Sequence, residues 1–375
     1  MNQLSSNQNN EKLEKPSILD TVSLSQQSAA LRAFNPQSLV IEFLEKLPPR
    51  EKQILLSRYG LQDGNPLTLE TIGKKMNLTR ERVRQIEKDA IRRLAAMPQP
   101  SNFANGVELV FQIIEENGKA MRQDRIFETV LLSQNTETNR MGILFMLQLV
   151  PKFHPMKETS DCYTAWNLSS FDRQIFDQTV ERAQEILQKS GSPLDQNKFF
   201  SILSETGVPA GAVESYLTIS KKISKNPFEQ WGLAPWTEIS PKDVGDKAFL
   251  VLKNLGKPEH YAKLTEIINK SKFDDRVAQK ETVHNELIKD KRFVLVGRGI
   301  YALTEWGYKS GVVADVIEGV LRESATPLTK NEIIEKVSRQ RLVKRNTIIV
   351  GLSNKNRFIK TAENKFTLAP SPKDA

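Results

Sequence analysis

Apolar positions between residues 39 and 94 recur every three or four residues, the period of amphipathic helices. Val40, Phe43, Leu44 and Leu47 begin the series. Pro48 and Pro49 end that helix and start another over residues 50–59. Residues 60–66 (GLQDGNP) read as a turn. Thr68 is placed to cap a short helix reaching about Lys75, and Thr79 to cap a longer one reaching about Ala96. Between them Asn77 occupies a tight turn, where Asn tolerates a left-handed backbone. Two helices joined by a three-residue turn predict a helix-turn-helix. Residues 1–36 are rich in Asn, Gln and Ser, lack a sustained apolar period, and are predicted to be a disordered arm.

Beyond a linker at residues 98–100 (PQP) the pattern repeats. An aromatic-x-Leu-x-x-aromatic motif occurs as Trp166/Leu168/Phe171, Trp231/Leu233/Trp236 and Tyr301/Leu303/Trp306. A fourth copy, Phe366/Leu368, lacks the last aromatic. The first aromatics lie 65, 70 and 65 residues apart. Each unit also carries a Gly- or Pro-containing turn, at residues 117–120, 190–193, 255–258 and 324–327. In the last two units Thr282 to Phe293 and Thr347 to Phe358 have the same spacing, both ending in Arg-Phe. In the third unit residues 293–296 and 300–303 flank Gly297-Arg298-Gly299, a hairpin signature. Three helices closed by a hairpin make a winged helix. The predicted fold class is therefore mainly α with small β-hairpins, a helix-turn-helix module followed by tandem winged-helix domains. Its predicted parts are a disordered arm (1–36), the helix-turn-helix (37–98), and winged helices at 103–172, 176–240, 245–309 and 311–370. Units this small bury only about 60% of their surface alone, so neighbours are expected to pack on each other.

Charge changes the picture. Lys and Arg total 54 against 45 Asp and Glu, a net of +9. The excess is uneven: residues 37–98 carry +4, 99–244 carry −4, 245–310 carry +4 and 311–375 carry +5. A polyanionic partner fits the ends and not the middle. There is no apolar run of membrane-spanning length and no signal-peptide pattern. With a single cysteine, Cys162, these features predict the cytoplasm.

Catalysis finds no support. His154, His260, His284 and Cys162 are too dispersed for a metal cluster, and neither metal nor cofactor is expected. Gly297-Arg298-Gly299 falls in a hairpin, not between strand and helix, and there is no phosphate-binding loop. Glu363-x-Lys365 has a nuclease-like spacing without an acidic partner, and Cys162 reads as inert packing. The chain is expected not to be an enzyme.

On the predicted 79–94 helix, Val83, Ile86, Ala90 and Leu94 form a core stripe. The opposite face offers Glu81, Gln85, Lys88 and Arg92, flanked by Arg82 and Arg84. Arg reads guanine, Gln reads adenine and Glu accepts from cytosine, so this mixture suits base reading in a major groove. Arg80, near the helix start, suits a backbone contact. The LPPRE opening, RYGL turn, LTLETIG first helix and TRERVRQIE second helix of residues 47–94 resemble region 4 of bacterial housekeeping sigma factors. The resemblance covers about residues 39–97. It implies recognition of a −35 promoter element through Arg80, Glu81, Arg82 and Gln85. It also implies docking on the β-subunit flap of RNA polymerase through the helices around Phe43 and Ile54. Sigma factors carry an aromatic-rich helix that melts the −10 element, and the roughly 38 residues before the motif hold none.

Residues 247–308, through GKPEHY, KRF and GRGIYALTEWGY, resemble the HARE-HTH winged helix. That family is known from the δ subunit of bacterial RNA polymerase, from chromatin proteins and from fusions to restriction enzymes. Residues 311–368 look like a diverged copy. In the third unit Lys280, Thr282, His284 and Asn285 lie on the third helix, with Arg298 at the hairpin tip, where a basic wing can enter a minor groove. In the fourth, Arg339, Arg341, Lys344 and Arg345 cluster at the start of the third helix, suited to phosphate contact. The recurring aromatics Trp166, Trp231, Trp236, Tyr301 and Trp306 are expected in the core.

The function that follows is a sequence-specific, transcription-associated protein binding double-stranded DNA, bacterial and nucleoid-associated, with the basic winged helices adding backbone contacts. One alternative is an interaction protein that docks on RNA polymerase core and competes with or tethers sigma. Another is a DNA-targeting subunit of a defence or mobile-element complex.

Overall fold

The computed structural model describes residues 31–204, 208–309, 311–324, 326–341 and 343–369. The chain divides into two compact units, residues 1–183 with 200–221, and residues 184–199 with 222–375.

Among the described residues of the first unit, a helical stretch over residues 31–33 is followed by α1 (Pro36–Leu44), α2 (Pro49–Arg58), α3 (Leu69–Met76) and α4 (Arg80–Ala96). A winged helix follows: α5 (Ser101–Glu116), β1 (Ala120–Arg122), α6 (Gln123–Leu131), α7 (Glu137–Leu149), β2 (Phe153–Met156) and β3 (Ala165–Leu168). The second winged helix is divided between the units. Its helices α8 (Arg173–Ser190) and α9 (Gln196–Ser204) have residues in both, and α10 (Ala210–Ile219) lies in the first. The second unit holds its strands β4 (Leu194–Asp195), β5 (Ile223–Lys225) and β6 (Gln230–Leu233). The third winged helix comprises α11 (Val244–Leu255), β7 (Glu259–His260), α12 (Tyr261–Lys270), α13 (Lys280–Lys289), β8 (Phe293–Gly297) and β9 (Ile300–Leu303). The fourth comprises α14 (Val313–Glu323), β10 (Leu328–Thr329), α15 (Lys330–Gln340), α16 (Arg345–Leu352), β11 (Phe358–Lys360) and β12 (Lys365–Leu368).

Each sheet has three antiparallel strands with the last strand in the centre, as in β1-β3-β2. This extends the two-stranded hairpins read from the sequence. The additional strand falls at or just after each Gly- or Pro-containing turn and is two or three residues long, too short for alternation to show.

One buried cluster runs from Phe34 to Leu168 and joins the helix-turn-helix to the first winged helix. The Phe43 ring meets Phe103 at 4.8 Å, and Tyr59 meets Phe145 edge-on at 4.9 Å. Two glycines permit this approach. A Cβ on Gly142 in α7 would lie 2.7 Å from the Gln37 backbone nitrogen, and one on Gly106 in α5 would lie 2.9 Å from Phe34. The buried Asn139 side chain accepts from Gln37 N–H at 3.3 Å and donates to the Gln134 carbonyl at 2.9 Å, so the interface leaves its amide satisfied. A smaller cluster of Ile54, Ile72 and Val83 holds α2, α3 and α4 together. The third and fourth winged helices each have a core of their own.

The predicted arm needs correction at its end. Residues 1–30 lie outside the described residues, but Phe34 is buried in the core and the Asn35 side chain caps α1 by accepting from Ser38 N–H. Of the recurring aromatics, Trp166, Trp231 and Tyr301 are buried, whereas Trp236 and Trp306 are half-buried. Cys162 is buried in the β2–β3 connection, where it forms an isolated bridge with Ser220.

Gly142→Val tests the joint. Overpacking costs about 1–3 kcal/mol, which in a unit of this size is about 2–10 °C. Calorimetry of the full chain should show the first unit's transition lowered by that amount, and an unchanged transition would contradict the close fit.

Candidate nucleic-acid interface

The helix-turn-helix is fixed by local chemistry at each end of its turn. Thr68 caps α3 by accepting from Thr71 N–H, and Thr79 caps α4 by accepting from Arg82 N–H at 3.2 Å. Asn77 takes the left-handed conformation (φ 54°, ψ 48°), and Leu78 N–H returns to the Gly73 carbonyl at 2.9 Å. Val83, Ala90 and Leu94 are buried and Ile86 half-buried, so the core stripe is where its period placed it.

That rotation turns Arg80, Glu81, Arg82, Arg84, Gln85, Lys88 and Arg92 to the exposed side of α4. Several are paired along the helix. Arg84 donates to both carboxylate oxygens of Glu81, at 2.8 and 2.6 Å, and this holds the Glu81 carboxyl below its usual range. Arg82 Nη1 donates to Gln85 Oε1 at 3.2 Å, and Arg92 lies 3.4 Å from Asp89. Solvent-exposed pairs of this kind contribute about 0–1 kcal/mol, so they exchange readily for base or phosphate partners.

The third helix of a winged helix is the element that can enter a groove, and the four differ in whether it is open. In the first winged helix α7 packs on α1, and only Glu137 and Gln148 along it are exposed. In the second, α10 packs on β1: Tyr216 OH donates to the Gly118 carbonyl at 2.9 Å and Ser215 Oγ to the Ala120 carbonyl. Gly211 is the exposed residue of α10 among those described. In the third, α13 exposes Lys280, Glu281, Thr282, Asn285, Ile288 and Lys289. In the fourth, α16 exposes Arg345, Asn346, Thr347 and Val350. The two closed helices thus fall in the acidic stretch and the two open ones in the basic stretch. Neither the charge pattern nor the repeat spacing reveals this closure. A signal was present in residues 143–150 (ILFMLQLV), because a helix apolar nearly all round is one that is buried.

Lys280 and Arg298 of the third winged helix are exposed, at the start of α13 and in the β8–β9 turn. His284 is half-buried and stacks on Tyr261 (centroids 4.4 Å, 21° between planes), which itself meets His260 at 4.6 Å. In the fourth, Arg339, Lys344 and Arg345 are exposed. Arg341 departs from expectation: it is 8% exposed, donates to the Gly311 carbonyl, and is withdrawn from any phosphate contact by burial that also lowers its pKa. Its position four residues before α16 aims it into the module and not along the helix face.

Among the described residues no group of His, Cys, Asp and Glu is arranged to hold a metal, and no helix is long and apolar enough to cross a membrane.

Residues 43–96 match the sigma-70 region 4 family. Similar proteins cover the same stretch. RNA polymerase sigma factor SigA of Clostridium acetobutylicum is 51% identical over 67 residues, 18% of this chain and 17% of that protein. SigA of a Nostoc species is 57% identical over 51 residues, 14% of this chain and 13% of the relative. The principal sigma factor HrdD of Streptomyces coelicolor is 37% identical over 84 residues, 22% and 25% of the two chains. This chain thus spans a quarter or less of the length of these relatives. A sigma region 4 helix-turn-helix supports a DNA-binding, transcription-associated role.

Thr79→Ala should cost about 1 kcal/mol by removing the cap of α4. Denaturant unfolding of the full chain checks it, and a loss below a few tenths would mean that the cap does not hold the helix start.

Proposed function

We propose that this chain is a non-enzymatic, sequence-specific DNA-binding protein of bacterial transcription, acting on the nucleoid. In this reading α4 lies in the major groove of a −35-like element. Arg82, Gln85 and Glu81 face base edges, Arg80 and Arg84 flank them, and Lys88 and Arg92 follow the backbone. The observation that carries the reading is the exposed mixed face of α4, held by caps on a fixed turn, in a stretch that matches sigma region 4.

The third and fourth winged helices, over residues 245–309 and 311–370, add backbone contacts through Lys280, His284, Arg298, Lys344 and Arg345. Their open third helices and net positive charge favour this. The likeness of residues 247–308 to HARE-HTH modules belongs to the same proposal. The first and second winged helices, 103–172 and 176–240, act as a brace, since both their third helices are covered.

The competing reading is docking on the RNA polymerase flap through the helices around Phe43 and Ile54. Burial weighs against it: Phe43 is 1% exposed beneath Phe103, and α5 and α7 cover α1. A partner using that helix would have to displace the first winged helix.

Selection of bound duplexes from a random pool with the full chain, at near-physiological salt, is expected to return a −35-like motif. Arg82→Ala with Gln85→Ala should abolish the selection, each base contact being worth about 1–3 kcal/mol. Lys280→Ala with Arg298→Ala should leave the motif unchanged and flatten the dependence of log K on log salt by about 0.9 for each phosphate no longer neutralised. Salt-sensitive binding without a motif would reject the reading and favour the polymerase-docking one.

A further inference from the structure

The fourth winged helix carries a groove of about 830 Å³, whose lining includes Asn331, the acceptor of a hydrogen bond from Arg345 at 3.2 Å. It lies between the start of α15, the second half of α16 with the turn after it, and the β11–β12 hairpin. This volume is within the range of ligand sites. One part of its wall is apolar: Leu352 and Phe358 are buried beneath it, Ile349 and Phe366 are half-buried, and Ile359 stands 43% exposed, while Asn331, Ser353, Glu363 and Asn364 make its rim polar. Lys330, Lys355 and Lys360 line it and are exposed.

The charge around this groove is unbalanced for a physical reason. The carboxylates of the module's described residues are already engaged. Asp315 pairs with Arg357, Glu318 with Arg322, Glu323 with Lys309, Glu335 with Arg339 and Glu363 with Lys365. Glu332 closes the capping box of Thr329. Among the described residues, none of the three groove lysines has a hydrogen bond or ion pair. Three of the module's unpaired cations thus stand beside the apolar part of the groove, while its one lining carboxylate, Glu363, is held by Lys365.

We propose that this groove docks a segment of a partner protein in which acidic residues alternate with large apolar ones. The apolar side chains would enter between Ile349, Ile359 and Phe366, and the carboxylates would meet Lys330, Lys355 and Lys360. Duplex DNA is the poorer occupant, because its phosphates match the lysines but offer little to the apolar walls. The proposal is independent of base reading by α4.

The test is selection from a random displayed-peptide library on the full chain. The counter-target is the variant Lys330→Glu/Lys355→Glu/Lys360→Glu, whose changed residues are all exposed and whose fold is checked by circular dichroism. Acidic-apolar peptides should be enriched on the wild type and lose about tenfold or more in affinity on the variant. Ile359→Asp should lower their affinity similarly, and Arg82→Ala with Gln85→Ala should leave it unchanged. Three results would overturn the proposal: no peptides enriched over the counter-target, peptides indifferent to the lysine reversals, or full displacement of the peptides by a duplex lacking the α4 motif. The last would assign the groove to DNA.

Discussion

The arrangement of the first unit depends on the approach of α1 onto α7 and α5. Gly142 and Gly106 bring the backbone of residues 36–37 and the ring of Phe34 nearer than any Cβ would permit. That approach lets Val40, Phe43 and Leu44 be fully buried, each worth about 1.5–3 kcal/mol of transfer free energy. Because the same core continues through Tyr59 and Phe145, the helix-turn-helix and the first winged helix form one folding unit. The exposed helix α4 is thereby held on a body larger than its own module, which in the proposed reading would reduce the orientational freedom given up on binding.

The same packing distinguishes the winged helices from one another. A third helix buried against a neighbour cannot enter a groove, and it no longer needs a basic surface. The stretch holding α7 and α10 is net acidic, while the stretches holding α13 and α16 are net basic. One architecture repeated four times thus presents two kinds of third helix, covered and open, according to which face the neighbours leave exposed.

Much of this was legible in the chain. The helical period, the Thr68 and Thr79 caps and the tolerance of Asn77 for a left-handed backbone act over a few residues, so they define the helix-turn-helix and orient its polar face. The repeat was legible because its aromatics return at one structural position. The short strands that complete the sheets were not visible, since two or three residues cannot display alternation. Nor was the fate of Arg341: its charge and its position before α16 suit a phosphate, and only packing beside Gly311 withdraws it. The closed third helices depended on packing against distant parts of the chain, although the apolar run in α7 carried the trace of one.

The free arrangement of α4 bears on how such a face discriminates. Glu81 and Arg84 are tied to each other, as are Arg82 and Gln85, through bonds three residues apart on the exposed surface. These pairs hold the side chains along the helix at little energetic cost to break. A nonspecific duplex can attract the cations without supplying partners for Glu81 and Gln85. In the proposed reading the correct base edges would replace both sets of bonds, so breaking the pairs would be compensated only at a matching site. In the same reading phosphate contacts from distant lysines would raise affinity for every sequence equally, and the difference between sequences would rest on the short stretch from Arg80 to Gln85.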